Sequence, residues 1–157
     1  IYYHLDLAHY LRREWDQAAA AYRKCLSFAN NDDMRVAATY WLFLSLMRAG
    51  KTDDANVALA DVSPGMEIIE NHSYHKLLLV LKSDLDASAL QRTEGAAGDA
   101  SVDLATIGYG LGVRDLMHGD TLSAQRRFRD VVANTNWAAF GHIAAEAELG
   151  AMEEGTD

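Results

Sequence analysis

Few residues in this chain are of a type and spacing that could do chemistry. Six histidines are present, and the densest arrangement is Glu70-x-His72-x-x-His75, where helical spacing would bring a carboxylate and an imidazole together as metal donors. The segment follows a turn, lacks the His-Glu-x-x-His order of a zinc helix and has no cysteine nearby, so no metal and no cofactor are expected. His9, His118 and His142 fall at core-edge positions of helical patterns, where structural histidine is the ordinary outcome. Gly108-x-Gly110-x-Gly112 lacks the spacing and the preceding strand of a dinucleotide loop. Glycine inside a helix costs about 1 kcal/mol relative to alanine. Close helix crossing is expected to offset that at Gly112 and Gly108, which leaves Gly110 as the place where a ligand or second backbone would approach. Asn31-Asp32-Asp33 and Asp53-Asp54 carry capping chemistry and are too short for a calcium loop. No Ser/His/Asp or Cys/His arrangement is readable, Cys25 is expected in the core, and no catalytic residue is assigned.

Composition narrows the partners. The 157 residues carry 14 Lys+Arg against 23 Asp+Glu, a formal charge of −9, and half are hydrophobic, enough for a substantial core. An acidic balance argues against nucleic acid, whose affinity comes largely from Lys and Arg displacing counterions. The longest apolar run, Leu77 to Leu81, is far too short to span a bilayer. One cysteine makes no internal disulfide and leaves the compartment open. The chain begins at Ile1 rather than Met, so upstream sequence is expected to be missing, and an export signal there would be out of sight.

The elements that must position any site are helices. Alanine is used 26 times and β-branched alternation is almost absent, so an all-α fold is expected. A first helix spans Tyr2 to Arg12, and a second, opened by Asp16, buries Ala18, Tyr22, Cys25 and Phe28. Val36 to Ala49 ends at Gly50, and Thr52 or Asp53 opens a fourth helix running to about Asp61, closed by Ser63-Pro64-Gly65. Met66 to Asn71 reads as a single turn and Ser73 to Leu85 as a helix, with a short piece from Ala87 to Gln91. Residues 92–101 read as the one exposed loop. Helices follow from Val102 to Met117, Thr121 to Ala133 and Trp137 to Leu149. The whole of 1–149 reads as a single domain, with 150–157 a frayed tail.

The hairpins repeat. Ala18 precedes Tyr22 by four, Ala55 precedes Leu59 by four, and Ala124 precedes Phe128 by four. Residues four apart share a helix face, where the alanine admits a crossing helix and the larger residue fills the gap beside it. Ala18 and Ala55 are 37 apart and Ala55 and Ala124 are 69, close to two units of about 34. The stretch from Glu70 to Ser101 is then a degenerate copy.

On these residues the chain resembles the tetratricopeptide repeat (TPR) family. Tyr2, Leu5, Trp15, Ala18 and Tyr22 match its pattern in the first unit, and Leu111, Gly112, Gly119, Ala124 and Phe128 in the third. The second keeps Leu42, Gly50, Ala55 and Leu59 without the bracing aromatics. Asp6 and Phe43 depart from the small-residue slot that Gly112 fills, and Asn30 and Asn136 stand where the family has proline. Asn136-Trp137-Ala138-Ala139-Phe140-Gly141 resembles the end of bacterial TPR proteins with further repeats upstream. That likeness implies an α-solenoid closed by a capping helix, with Trp137, Phe140 and Ala144 turned inward.

The resemblance also implies a groove. The first helix of each TPR hairpin lines the concave face, which places Tyr3, Leu7 and Tyr10 there from the first unit. The second contributes Tyr40, Leu44, Met47 and Arg48, and the third Tyr109, Val113 and Met117. Only Arg48 could hold a carboxylate, so an apolar occupant is expected: a partner's helix or extended peptide, or this chain's own 70–100 region folded back. The expected function is a non-enzymatic scaffold binding a protein or peptide on this face, with self-association as a further outcome if an N-terminal face is left bare. The alternative is an enzyme or small-ligand or metal binder with its site near Glu70–His75 and Gly108–Gly112.

Overall fold

The computed structural model describes residues 2–91 and 100–154, side chains at 2–5, 91 and 100 excepted. All regular structure among them is helical: α1 (Tyr2–Leu11), α2 (Trp15–Ser27), α3 (Asp32–Arg48), α4 (Thr52–Ala58), α5 (His72–Leu81), a 3-10 turn (Ala87–Gln91), α6 (Ala100–Met117), α7 (Thr121–Asn134) and α8 (Phe140–Glu154). The described chain falls into two compact units, Ile1–Thr93 and Glu94–Asp157. Most of the expected 92–101 loop lies outside the described residues. No helix among the described residues is long and apolar enough to cross a membrane.

Helix ends follow their capping residues. The Asn31 side chain accepts the Met34 N–H at 2.8 Å, and that of Asp120 accepts the Ser123 N–H at 3.0 Å, each satisfying a donor the first turn leaves open. At the other ends one capping turn recurs four times, with left-handed backbone at Arg13 (φ 60°), Gly50 (73°), Ser83 (68°) and Gly119 (78°). In each, the next amide donates back to a carbonyl five residues earlier: Glu14 to His9, Lys51 to Leu46, Asp84 to Leu79 and Asp120 to Asp115, at 2.9–3.0 Å. The four positions are 37, 33 and 36 residues apart, so the turn repeats where the side chains of the third copy no longer do.

Two of those turns carry strain, because a Cβ in left-handed backbone costs about 1–2 kcal/mol. Ser83→Gly is expected to stabilise the protein by about 1 kcal/mol, part of the relief being offset by glycine's greater chain entropy. Gly50→Ala, with nothing near its Cβ to add a steric penalty, should move the urea midpoint the opposite way by a similar amount. Urea titrations of both variants check this.

The first unit is built around Trp41. Its ring meets Tyr10 and Tyr40 edge-on at 5.0 and 5.3 Å and stacks with Tyr22 at 6.4 Å, while its Nε1 donates to the Tyr74 hydroxyl at 3.4 Å. Tyr74 belongs to α5 and lies 4.9 Å from Tyr40, so α5 is laid against α3. Burial pushes the Tyr22 and Tyr40 phenols above their ordinary range, which keeps both neutral at physiological pH.

The segment from Leu59 to Asn71 is irregular but pinned. Lys82 Nζ donates to the Val62 and Ala60 carbonyls at 2.7 and 3.2 Å, and His75 Nε2 donates to the Ser63 carbonyl at 2.8 Å. Asp33 accepts the amides of Ile69, Glu70 and Asn71 at 2.8–2.9 Å, and Asp32 that of Glu67 at 2.9 Å. Partial burial raises the Asp33 pKa, but the three amides outweigh it and the net value falls below the ordinary 3.8. A lowered folded value means that stability is present above the unfolded pKa and is lost as pH falls through the folded one. Asp33→Asn is therefore expected to cost about 1–2 kcal/mol at pH 7, with the gap to wild type closing below about pH 3.8. Urea midpoints across pH 2.5–7 check it.

The second unit packs α6, α7 and α8 together through glycines. A Cβ at Gly108 would strike the Val131 side chain, one at Gly112 the Phe128 ring, and one at Gly141 the Ala105 backbone. Close crossing therefore accounts for Gly108 and Gly112, as their cost required. Two expectations need correction. Ala144 is buried and Phe140 half-buried, but Trp137 is 77% exposed. The Asn136 side chain accepts the Ala138 amide at 2.9 Å, so a turn precedes α8 and Trp137 falls on it, outside the helix. The tail does not fray where expected, since α8 continues past Gly150 to Glu154; 155–157 lie outside the described residues.

Candidate interaction surface

The residues expected to line a partner groove are largely interior. Leu7, Tyr10, Tyr40 and Leu44 are buried in the first unit, and Tyr109 and Val113 in the second, where Tyr109 lies 5.6 Å from Phe128. Met47, Arg48 and Met117 are half-buried, with the Arg48 guanidinium 4.6 Å over the Trp15 ring; the Tyr3 side chain lies outside the described residues. The groove assignment is corrected accordingly: a partner has no access to the buried members of this set while each unit is folded. In the first unit the physical reason is α5, whose Tyr74 covers Tyr40. An apolar helix face looks the same in sequence whether a partner or the chain itself covers it.

The groups of the alternative reading are committed to structure. Glu70 is exposed, whereas His75 is buried and bonded to Ser63. Among the described residues no group of three His, Cys, Asp or Glu is arranged to hold a metal ion. Thr135, His142 and Glu146 form a line that imitates a catalytic triad, with Thr135 Oγ1 to His142 Nδ1 at 3.2 Å and His142 Nε2 to Glu146 Oε1 at 3.5 Å. Its protons run the wrong way. The Thr135 hydroxyl donates to the Val131 carbonyl at 2.7 Å, so His142 must be the donor to Thr135 and is no base for it. Cys25 donates to Asp6 at 2.8 Å, and burial, reinforced by that carboxylate, pushes the thiol up to about 12, far from a nucleophile's range.

One open feature of the first unit, the best lined by apolar side chains, is a cleft that sequence reasoning missed. The chain turns out of α4 at Ala58, after seven residues, where α2 has thirteen. At 1.5 Å per residue α4 is about 9 Å the shorter, which leaves the N-terminal half of α3 without a second-helix cover. The resulting cleft of about 460 Å³ lies between Leu26 and Ser27 of α2, Asp32, Arg35 and Thr39 of α3, Val57 and Ala58 of α4, and the pinned segment at Asp61, Val62 and Met66. Lys82, His75 and Asp33 hold that segment in place, so the cleft is built rather than left over. Val57, on its wall, is 73% exposed, and Met34, next in sequence to a lining residue, is 45% exposed; Phe28, expected in the buried stripe of α2, instead follows the helix as its C-cap and is 63% exposed. The available signal was Val57 and Met34, apolar residues that stand off the buried stripes of their helices. Comparison with protein families, with curated proteins and with solved structures finds no match for this chain.

Proposed function

We propose that this chain is a non-enzymatic interaction module, a TPR-like helical repeat that holds a segment of another protein. The observation that carries the reading is the built cleft of the first unit with exposed Val57 on its wall and Phe28 and Met34 beside its lining. An exposed apolar side chain on the wall of a formed cleft is what a docking site presents. The recurrence of one capping turn at Arg13, Gly50, Ser83 and Gly119 supports the repeat architecture, since each hairpin of an α-solenoid is one supersecondary unit with a short period. Occupation of the expected concave face by α5 moves the proposed binding surface to the cleft.

Selection of a random twelve-residue display library on the immobilised chain tests the reading. The expected result is enrichment of a sequence class that binds in solution with one-to-one stoichiometry by calorimetry. Recovery of no sequence above the bare support would overturn it.

A further inference from the structure

We infer that the cleft of the first unit takes a peptide segment in which an apolar side chain stands beside a lysine or arginine. The inference rests on the proposed interaction module and names the chemistry of its partner. The apolar part of the match is Leu26, Val57 and Met66, which form a pocket wall without a covering helix. The charged part is Asp61, which makes no ion pair or hydrogen bond among the described residues. Asp32 lies nearby, accepting the Glu67 amide at 2.9 Å through one oxygen and meeting Arg35 at 3.9 Å through the other. The lining thus carries two carboxylates to one guanidinium, in a chain of formal charge −9, and this steers a cationic segment toward it.

A third observation fits a polar backbone in the cleft. Thr39 lines it, and its hydroxyl has no hydrogen-bond partner among the described residues and is not one of their fully buried polar atoms, so it is reached from solvent. A hydroxyl open on a cleft is available both to donate to and to accept from what binds there. A peptide supplies both an amide donor and a carbonyl acceptor at that point. The lining is drawn from α2, α3, α4 and the segment after α4, a spread in keeping with a chain segment laid across it.

Three twelve-residue synthetic peptides test it at physiological salt: an amphipathic Leu/Lys peptide, a Leu/Glu peptide of the same pattern, and a Ser/Lys peptide. Labelled peptides are titrated by fluorescence anisotropy, and amide shifts of the 15N-labelled protein report the location. The Leu/Lys peptide should saturate with shifts centred on Thr39, Val57 and Ala58, and the other two should bind at least about tenfold more weakly. Asp61→Asn and Thr39→Val should each weaken the Leu/Lys peptide about threefold or more. Thr39→Val should leave the melting temperature unlowered, since the hydroxyl has no partner to lose, whereas Glu154→Gln, exposed in the second unit, should leave peptide binding unchanged. Equal binding of the Leu/Glu peptide, shifts centred elsewhere, or unchanged affinity in Asp61→Asn would overturn the inference. Absence of any Leu/Lys binding would also overturn it, while the module reading stands or falls separately on the library selection.

Discussion

Gly141→Ala is expected to unfold the second unit. Gly141 lies in the first turn of α8, and a Cβ there would fall on the carbonyl carbon and oxygen of Ala105 and reach the Thr106 amide. The obstacle is α6 backbone, which cannot rotate aside as a side chain would, so α8 must move away from α6 as a body. That movement withdraws Ala144 and Ala145, both buried. Overpacking that side chains can absorb costs about 1–3 kcal/mol. Here the cost should exceed that range and consume most of the roughly 5 kcal/mol that a unit this small commands. Gly150→Ala in the same helix meets open space and should instead stabilise by up to about 1 kcal/mol through helix propensity. Urea unfolding followed by the amide signals of Tyr109 and Phe128 separates the two outcomes. Equal behaviour of the two variants would contradict the packing of α8 on α6.

Trp41→Ala should be the most damaging truncation in the first unit. The indole is 1% exposed and is met by Tyr10, Tyr22 and Tyr40, so its loss opens a cavity that three separate helices would have to collapse into. Truncating a buried large aromatic costs about 3–5 kcal/mol, and the Tyr74 hydroxyl also loses its donor. The expected signature is a fall of the urea midpoint together with loss of near-ultraviolet circular dichroism from the tyrosine cluster. Trp41→Phe keeps most of the volume and should cost less than half as much. A loss below about 1 kcal/mol for Trp41→Ala would show that the cluster is not the core of this unit.

The parts of the fold legible in the sequence are those with a local physical cause. Asn31 accepts an amide at the helix start where capping residues were expected, and Gly50 takes the left-handed backbone expected at the end of its helix. Ala18, Ala55 and Ala124 are fully buried, as the repeated pairing with a larger residue four positions on required. What escaped depends on where distant segments go. Arg13 and Ser83 occupy the same left-handed turn as the glycines, but nothing in a non-glycine residue announces it. Residues Leu59 to Asp61 are as helix-competent as those before them, and only Lys82 and His75, some twenty and twelve residues on, draw that segment out of the helix. The apolar face of α3 was legible as a face to be covered. Its occupant, α5, was not distinguishable from a partner, and the cleft beside it exists only because α4 stops early. Trp137 carries an interior residue's chemistry in a turn fixed by Asn136, so its exposure has no signal in its own type.

The most direct test of the account is the affinity of a library-selected peptide for two variants, Val57→Ser on the cleft wall and Tyr40→Phe on the face that α5 covers. Tyr40→Phe removes only a buried hydroxyl that makes no hydrogen bond among the described residues, so it should leave both fold and binding unchanged. Val57→Ser changes an exposed side chain at the cleft wall and should weaken binding about tenfold, as loss of a central apolar anchor does. Binding that survives Val57→Ser and fails in Tyr40→Phe would contradict the account and return the partner to the face occupied by α5.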